Sequence, residues 1–283
     1  MNTNSESIVA RRLAGALAVL SAVVAMQFAA ADEHAAQEGV AVADSAKTVL
    51  ITGSNRGIGL AFARHYAGAS DANWRVIATC RRPGQAEALK ALAAERGNIE
   101  IVMLDVTRED HILSLVERYA GQPIDLLINN AAILGPPPDQ SLGGLDYGQF
   151  EQTMAVNVYA PLRVSEALAD NVAAAGGKIV ALTSGLGSMQ LMGRMRGLYF
   201  YRMSKSALNM GWRALRSDLQ PRGVTVLLVA PGQVDTRMLR ASGFRGEAMT
   251  PDDSAAGMAK IIADATIEDP GLPINVDGWI IPW

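Results

Sequence analysis

Residues 48–59 read TVLITGSNRGIG, and this stretch decides the fold. A short apolar run passes directly into a glycine-rich turn, and a segment of helical period follows at once. Such a turn lets backbone amides approach a pyrophosphate, and the N-terminus of the following helix adds unpaired N–H groups and partial positive charge. The alternative is a glycine-rich helix entry without a ligand, but the strand before it and the helix after it favour a dinucleotide site. The predicted binding residues of this turn are Gly53, Ser54, Asn55, Arg56, Gly57, Ile58 and Gly59.

Beyond this turn, short β-branched runs alternate with longer segments of helical period. The predicted strands are 48–51, 76–79, 99–104, 126–128, 178–182 and 224–229, with 274–276 as a further short strand. The predicted helices are 57–68, 84–95, 108–119, 148–172, 203–219 and 252–265. This alternation predicts the α/β class, with a single Rossmann-type, doubly wound parallel sheet and helices on both of its faces.

The first residues of the chain differ from the rest. Arg11 and Arg12 precede an uncharged run over 13–31 that ends in an A-x-A sequence, the pattern of a secretory signal. The run is also long enough for an N-terminal membrane anchor, and a mis-called start codon is a third alternative. Export, anchoring and a cytoplasmic location therefore stay open. The predicted organisation is a signal peptide or anchor at 1–31, a linker at 32–46 and a Rossmann-fold domain at 47–283.

Composition limits the kinds of partner. The formal net charge is −3, from 25 basic and 28 acidic residues, so no nucleic-acid partner is expected. Cys80 is the single cysteine and the three histidines are scattered, which argues against a disulfide or a metal site. The predicted partners are small molecules, and a membrane only through the N-terminal segment.

The second strand indicates which dinucleotide is bound. NAD-binding relatives of this architecture carry an acidic residue at the end of that strand, whereas this chain has Cys80-Arg81-Arg82. Arg81 offers a planar donor fork suited to a 2′-phosphate, and Arg56 could flank it. Asp71 is the other acid nearby, but it precedes the strand. The pattern predicts NADP(H), the alternative being two solvated surface arginines.

The motifs together resemble the short-chain dehydrogenase/reductase family over about residues 47–283. The spacing Thr52-Gly53-xxx-Gly57-x-Gly59 is similar to its glycine motif, and 129–132, NNAA, to its NNAG motif with alanine in place of glycine. The resemblance implies that Asn129 stabilises the central sheet. It also implies cofactor contacts for Asp105, Val106, Asn130, Ala131, Pro231, Gly232, Val234 and Thr236, besides Tyr201 and Lys205 in the active site.

The C-terminal residues 277–283, DGWIIPW, and a short lid between Thr236 and Thr250 resemble the C-factor and sniffer-like carbonyl reductases. A short lid predicts an open pocket. Its lining is expected from 135–145, which contains the loop GPPP, and from 186–198 and 237–250. These segments suggest an apolar pocket with an anion contact from Arg194, Arg196 or Arg240.

A tyrosine and a lysine have the spacing that acid–base chemistry requires. Tyr201 and Lys205 are four residues apart at the start of a predicted helix, so both lie on one face. A nearby ammonium favours a phenolate, so Lys205 is expected to lower the pKa of Tyr201. Tyr199 has Met203 at the equivalent spacing and is not favoured. Such pairs also arise by chance in amphipathic helices, but this one follows the expected strand and loop.

Two further polar residues complete the predicted catalytic group. Ser184 follows the strand 178–182 and is expected to hydrogen-bond the substrate oxygen and the phenol; Ser188, four residues later, remains its rival. Asn157 matches the family's helix-interior asparagine, which holds a water linked to Lys205, against the alternative of an ordinary surface residue.

The resulting prediction is an NADP(H)-dependent oxidoreductase that moves hydride between a nicotinamide and a carbonyl or alcohol. The alternatives are a non-catalytic NADP(H)-binding sensor or scaffold, and an epimerase or dehydratase with a larger C-terminal lobe. Family members often pair through two long helices, so the resemblance allows a homodimer.

Overall fold

The computed structural model describes residues 46–70, 73–193 and 196–283. The predicted signal peptide or anchor, nearly all of the linker, Asp71 and Arg194 lie outside the described residues. Within the described ranges, no helix combines the length and the apolar character needed to cross a membrane.

Seven parallel strands form one sheet in the order β3-β2-β1-β4-β5-β6-β7. The strands are β1 (Lys47–Ile51), β2 (Trp74–Cys80), β3 (Ile99–Met103), β4 (Leu126–Asn129), β5 (Lys178–Leu182), β6 (Thr225–Ala230) and β7 (Ile274–Asn275). The order reverses between β1 and β4, which is the switch point of a doubly wound sheet. The predicted fold class is confirmed.

Helices cover both faces of the sheet. They are α1 (Gly57–Gly68), α2 (Glu87–Arg96), α3 (Glu109–Arg118), α4 (Tyr147–Met154), α5 (Ala160–Ala167), α6 (Ala169–Ala174), α7 (Tyr199–Leu219), α8 (Arg237–Ala241) and α9 (Pro251–Asp264). Alternate residues of each strand face opposite layers. Val49 packs in one buried cluster with α1, α2 and α9, and Leu50 packs in the other with α3, α5, α6 and α7.

Two predicted helices differ from the structure by more than three residues. The helix predicted at 148–172 divides into α4, a π-helical turn at Ala155–Tyr159, α5 and α6. Pro161 cannot donate the helical bond to the carbonyl of Asn157, which fits this break. The helix predicted from residue 203 starts at Tyr199. Its N-cap Leu198 makes no side-chain capping bond, so no capping residue marks the start in the sequence.

Candidate active site

A cleft of about 730 Å³ opens at the carboxyl ends of the strands, around the switch point. Fifteen of the predicted site residues line it: Gly53, Asn55, Arg56, Gly57, Ile58, Gly59, Arg81, Asp105, Val106, Asn130, Ala131, Tyr201, Lys205, Pro231 and Thr236. Five others do not: Ser54, Asn157, Ser184, Gly232 and Val234. One cleft therefore contains the glycine turn at one end and the tyrosine–lysine pair at the other.

The glycine turn has the shape of a cradle. Gly53 and Gly57 have positive φ angles of 72° and 54°, which only glycine adopts readily. A Cβ on Gly59 would lie 2.3 Å from the carbonyl oxygen of Gly53. A Cβ on Gly57 would meet no atom closer than 3.5 Å, so a side chain there would enter the space of the cleft. The turn leaves backbone open to a ligand where side chains would fill the gap.

Asn130 fixes this turn to the middle of the sheet. Its Nδ2 donates to the carbonyl oxygen of Thr52 at 2.8 Å, and the backbone amides of Asn130 and Ala131 both donate to Thr52 Oγ1 at 3.0 Å. Asn129, which the resemblance implies stabilises the central sheet, donates from Nδ2 to Ser165 Oγ at 3.0 Å and ties β4 to α5. Asn130 thus connects the end of β4 to the glycine turn, whereas Asn129 connects β4 to α5.

Three residues predicted to contact the cofactor do not line the cleft. Ser54 is fully buried, and its hydroxyl donates to the carbonyl oxygen of Ile51 at 2.9 Å. Val234 is buried and pairs with Met249 in an isolated parallel bridge. Gly232 has φ 74°, and a Cβ there would approach Val276 rather than the cleft. These three positions shape the turns around the cleft without lining it.

The end of the cleft near β2 and β3 carries both signs of charge. Arg81 and Arg56 are exposed and line it. Burial alone would raise the pKa of Asp105, but two hydrogen bonds from Thr107 and the charge of Arg81 hold that pKa below its usual range. The backbone amide of Asp105 donates to His111 Nδ1 at 3.0 Å. Asp105 is therefore an ionised group held in place by its own loop, which leaves the guanidinium of Arg81 open to the cleft.

Tyr201 and Lys205 lie one turn apart on α7, as predicted, and both are buried. The Lys205 ammonium lies 5.7 Å from the centroid of the Tyr201 ring and donates to the carbonyl oxygen of Leu182 at 2.7 Å. Burial raises the pKa of Tyr201 to about 12, and a hydrogen bond with Ser184 offsets this only in part. Burial also lowers the pKa of Lys205 to about 8. In this geometry the pKa of Tyr201 is therefore raised and not lowered as expected, because desolvation outweighs the hydrogen bond with Ser184.

The contacts of the two candidate serines distinguish them. The Ser184 side chain lies close enough to Tyr201 to lower the pKa of the phenol, and its oxygen accepts from the amide of Leu186 at 3.2 Å. Ser188 is buried, and its oxygen accepts from the amide of Leu191 at 3.1 Å. Of the two, it is Ser184 that the fold brings to the phenol.

Asn157 is buried within the π-helical turn and is not a surface residue. Its Oδ1 accepts from the amide of Ile133, and its Nδ2 donates to the carbonyl of the same residue, both at 2.9 Å. Nδ2 also donates to Ser204 Oγ at 3.0 Å. Asn157 thus joins the segment after β4 to α7 beside Lys205, and π turns of this kind are frequent at functional sites.

The substrate end of the cleft differs from the expected lining. No described residue of 135–145 or 186–198 lines the cleft, whereas Arg237, Met238 and Arg240 of the third segment do. Arg240 is engaged by Asp235 through two hydrogen bonds of 2.8 and 2.7 Å, so its charge is compensated. Arg196 is exposed and does not line the cleft. The cleft residues that were neither predicted site residues nor part of the expected lining segments are Cys80, Leu104, Thr107, Ala132, Ile133, Gln152, Ala155, Val156, Leu182, Thr183, Asp235 and Pro251.

Comparison with known proteins supports the family that the sequence motifs resemble. A model of the short chain dehydrogenase family matches residues 47–244. The chain is 36% identical over 162 residues to C-signal of Myxococcus xanthus, covering 57% of this chain and 93% of that protein. It is similar to the NADPH-bound carbonyl reductase from chicken fatty liver, with 32% identity, 84% and 99% of the two chains covered and a TM-score of 0.75. It is also similar to the carbonyl reductase Sniffer of D. melanogaster, with 27% identity, 84% and 100% covered and a TM-score of 0.77. The protein belongs to the short-chain dehydrogenase family of NAD(P)-dependent oxidoreductases.

Proposed function

We propose that the protein is an NADP(H)-dependent carbonyl reductase or alcohol dehydrogenase with Tyr201 as its general acid and base. The observation that carries this proposal is the buried Tyr201–Lys205 pair, one turn apart on α7, which lines the cleft that also holds the glycine turn. A protein that only binds a dinucleotide has no need of the Tyr201 phenol. The similarity to NADPH-bound and other carbonyl reductases supports the same choice.

The cleft fits a dinucleotide phosphate. The open backbone at Gly57 and the N-terminus of α1 suit the pyrophosphate, while Arg81 and Arg56 suit a 2′-phosphate. Asp105 and Val106 would hold the adenine end, and Thr236 and Lys205 the nicotinamide end. The other cleft residues in this cofactor set are Gly53, Asn55, Ile58, Gly59, Asn130, Ala131 and Pro231. When bound, the nicotinamide supplies hydride to a carbonyl carbon or accepts it from an alcohol.

Tyr201 is suited to give a proton in the reducing direction. With its pKa raised to about 12, the phenol is protonated at neutral pH. It donates that proton to the substrate oxygen as the carbonyl becomes an alcohol, and it regains a proton from solvent. Ser184 donates a hydrogen bond to the same oxygen as its negative charge develops. Lys205 stabilises the phenolate that forms, and Asn157 holds the segment after β4 against α7.

The proposed substrates are small carbonyl compounds with an apolar substituent. Ile133, Val156 and Met238 line the cleft, and the charge of Arg240 is already compensated by Asp235. An apolar wall favours an apolar substituent over a carboxylate.

The experiment is NADPH oxidation by the purified protein with a panel of aldehydes and ketones, compared with NADH. Turnover that prefers NADPH supports the proposal. Tight NADPH binding without turnover on any member of the panel would instead favour a sensor or scaffold.

Replacing Arg81 tests the cofactor preference. A charge-assisted hydrogen bond contributes about 1.5–3 kcal/mol, so Arg81→Ala is expected to weaken NADPH binding about 10- to 100-fold. NADH binding should stay unchanged, because it has no 2′-phosphate. The measurement is a fluorescence titration of both cofactors. Arg82→Ala is the matched control, since Arg82 is an exposed neighbour that does not line the cleft. Equal losses for NADPH and NADH would contradict the assignment.

A further inference from the structure

A glutamine outside the cleft contacts the backbone of the proposed catalytic tyrosine. Gln140 is fully buried and follows the prolines of the loop after β4. Its Oε1 accepts from the backbone amide of Tyr201 at 2.8 Å. Its Nε2 donates to the carbonyl oxygen of Leu134 at 2.7 Å. One side chain therefore bridges the segment after β4 and the first turn of α7.

The first turn of α7 needs such a partner. The first amides of a helix have no intrahelical acceptor and are satisfied by a cap. Leu198, the N-cap of α7, has φ 55° and makes no side-chain capping bond. Among the described residues it is the only non-glycine with a positive φ, a conformation that costs energy and persists only where its surroundings enforce it. The amide acceptor comes instead from Gln140, 61 positions away in sequence.

The other contacts around this turn hold the neighbouring loop. Arg202 is buried, and its Nε donates to the carbonyl oxygen of Gly197 at 2.9 Å. A Cβ on Gly197 would lie 3.2 Å from Ser141 Oγ, so the segment before α7 packs closely on the residues after Gln140. The backbone of Tyr201 is thus held by Gln140 on one side while Arg202 fixes the approach to the helix on the other.

We infer that Gln140 is a positioning residue for Tyr201, serving as a remote cap that sets where the phenol lies relative to Ser184. This inference rests on the proposed function, because it concerns the same proton transfer. Gln140 does not line the cleft and so acts through the helix, without touching substrate or cofactor. A misplaced phenol slows proton transfer while leaving the glycine turn, and hence NADPH binding, intact.

The test compares Gln140→Leu with Gln140→Glu in the full chain. Leucine removes both the acceptor for the Tyr201 amide and the donor to the Leu134 carbonyl, whereas glutamate keeps the acceptor and can donate to Leu134 only when it is protonated. Gln220→Leu is the matched control, because Gln220 also holds a loop to α7, donating to the carbonyl of Ile267 at 3.2 Å at the far end of the helix. The measurements are kcat across a pH profile, the Kd for NADPH, the solvent deuterium isotope effect on kcat, and amide hydrogen exchange of segment 199–203.

For Gln140→Leu we expect kcat to fall about tenfold or more, a loss that a small misplacement of reacting groups can cause. The Kd for NADPH should not change, the solvent isotope effect should rise, and segment 199–203 should exchange faster. Gln140→Glu should recover kcat only at the low-pH end of the profile, where the buried carboxyl is protonated and replaces both bonds, and Gln220→Leu should match the wild type at every pH. A folded Gln140→Leu protein with wild-type kcat and isotope effect would overturn the inference.

The hydrogen-exchange result separates this inference from the proposed function. If the wild-type protein turns over no carbonyl compound, the proposed function fails. Faster exchange at 199–203 in Gln140→Leu alone would then still support the capping role of Gln140, and unchanged exchange would refute it.

Discussion

Tyr201→Phe is expected to lower the rate of carbonyl reduction by about 10²- to 10⁴-fold, the usual contribution of a positioned general acid. The phenol is the protonated group in contact with Ser184, and phenylalanine has no proton to give. The ring itself is retained, so the packing of Tyr201, which is only 7% exposed, is preserved. NADPH binding should therefore survive the change. The measurement is steady-state NADPH oxidation together with a cofactor titration of the same preparation.

Tyr199→Phe is the control for this substitution. Tyr199 precedes Tyr201 by two residues on the same helix, is 41% exposed and does not line the cleft. It should keep wild-type activity. Retained turnover in Tyr201→Phe, with loss in Tyr199→Phe, would move the acid–base role to the other tyrosine and contradict the assignment.

Lys205→Met is expected to raise the free energy of unfolding and to lower kcat. At the 5.7 Å that separates the ammonium from the Tyr201 ring centroid, two charges interact by about 3 kcal/mol at an effective dielectric constant near 20. Losing that stabilisation of the phenolate should lower kcat about 100-fold. Burial depresses the pKa of Lys205 from 10.5 to about 8, a penalty of about 3 kcal/mol on the charged form. Losing the charge-assisted hydrogen bond to Leu182 costs about 1.5–3 kcal/mol, so the free energy of unfolding should rise by at most about 1.5 kcal/mol at pH 7.

The stability gain should depend on pH with a definite sign. Because the folded-state pKa is depressed, the unfolded chain binds more protons than the folded chain between about pH 8 and 10.5. The free energy of unfolding of the wild type therefore rises with pH across that window. The Lys205→Met variant lacks this rise. Urea unfolding from pH 6 to 9.5 should show a difference that is largest below pH 8 and then shrinks. A variant that is less stable than the wild type at pH 7 would contradict the buried, destabilising ammonium.

The fold could be predicted from the sequence because each signal was local. The run 48–59 specified strand, turn and helix within twelve neighbouring residues, and the structure confirms that order. The carboxyl ends of parallel strands meet at one edge, so the sequence alone could place Arg81 and Tyr201 in one cleft.

The rest of the site depends on contacts between distant residues. Nothing near Gln140 in sequence shows that it reaches the amide of Tyr201. The direction of the Tyr201 pKa shift depends on burial, which spacing alone does not report. The spacing i, i+4 placed Lys205 correctly but did not reveal that its ammonium donates to Leu182 rather than to the phenol. Ser54 belongs to the same motif as residues that line the cleft, but its hydroxyl donates to the carbonyl oxygen of Ile51, which motif spacing does not report.

The most direct test of hydride transfer is to follow the isotope itself. NADPH carrying deuterium at the reactive ring carbon would be incubated with the purified protein and the carbonyl compound that gives the fastest turnover, and the alcohol would be examined by mass spectrometry and NMR. Hydride transfer with Tyr201 as proton donor predicts one deuterium on the carbinol carbon and none on oxygen after exchange, with Tyr201→Phe giving no labelled product. NADPH that binds in the cleft but yields no deuterated alcohol from any member of the panel would contradict the proposed oxidoreductase.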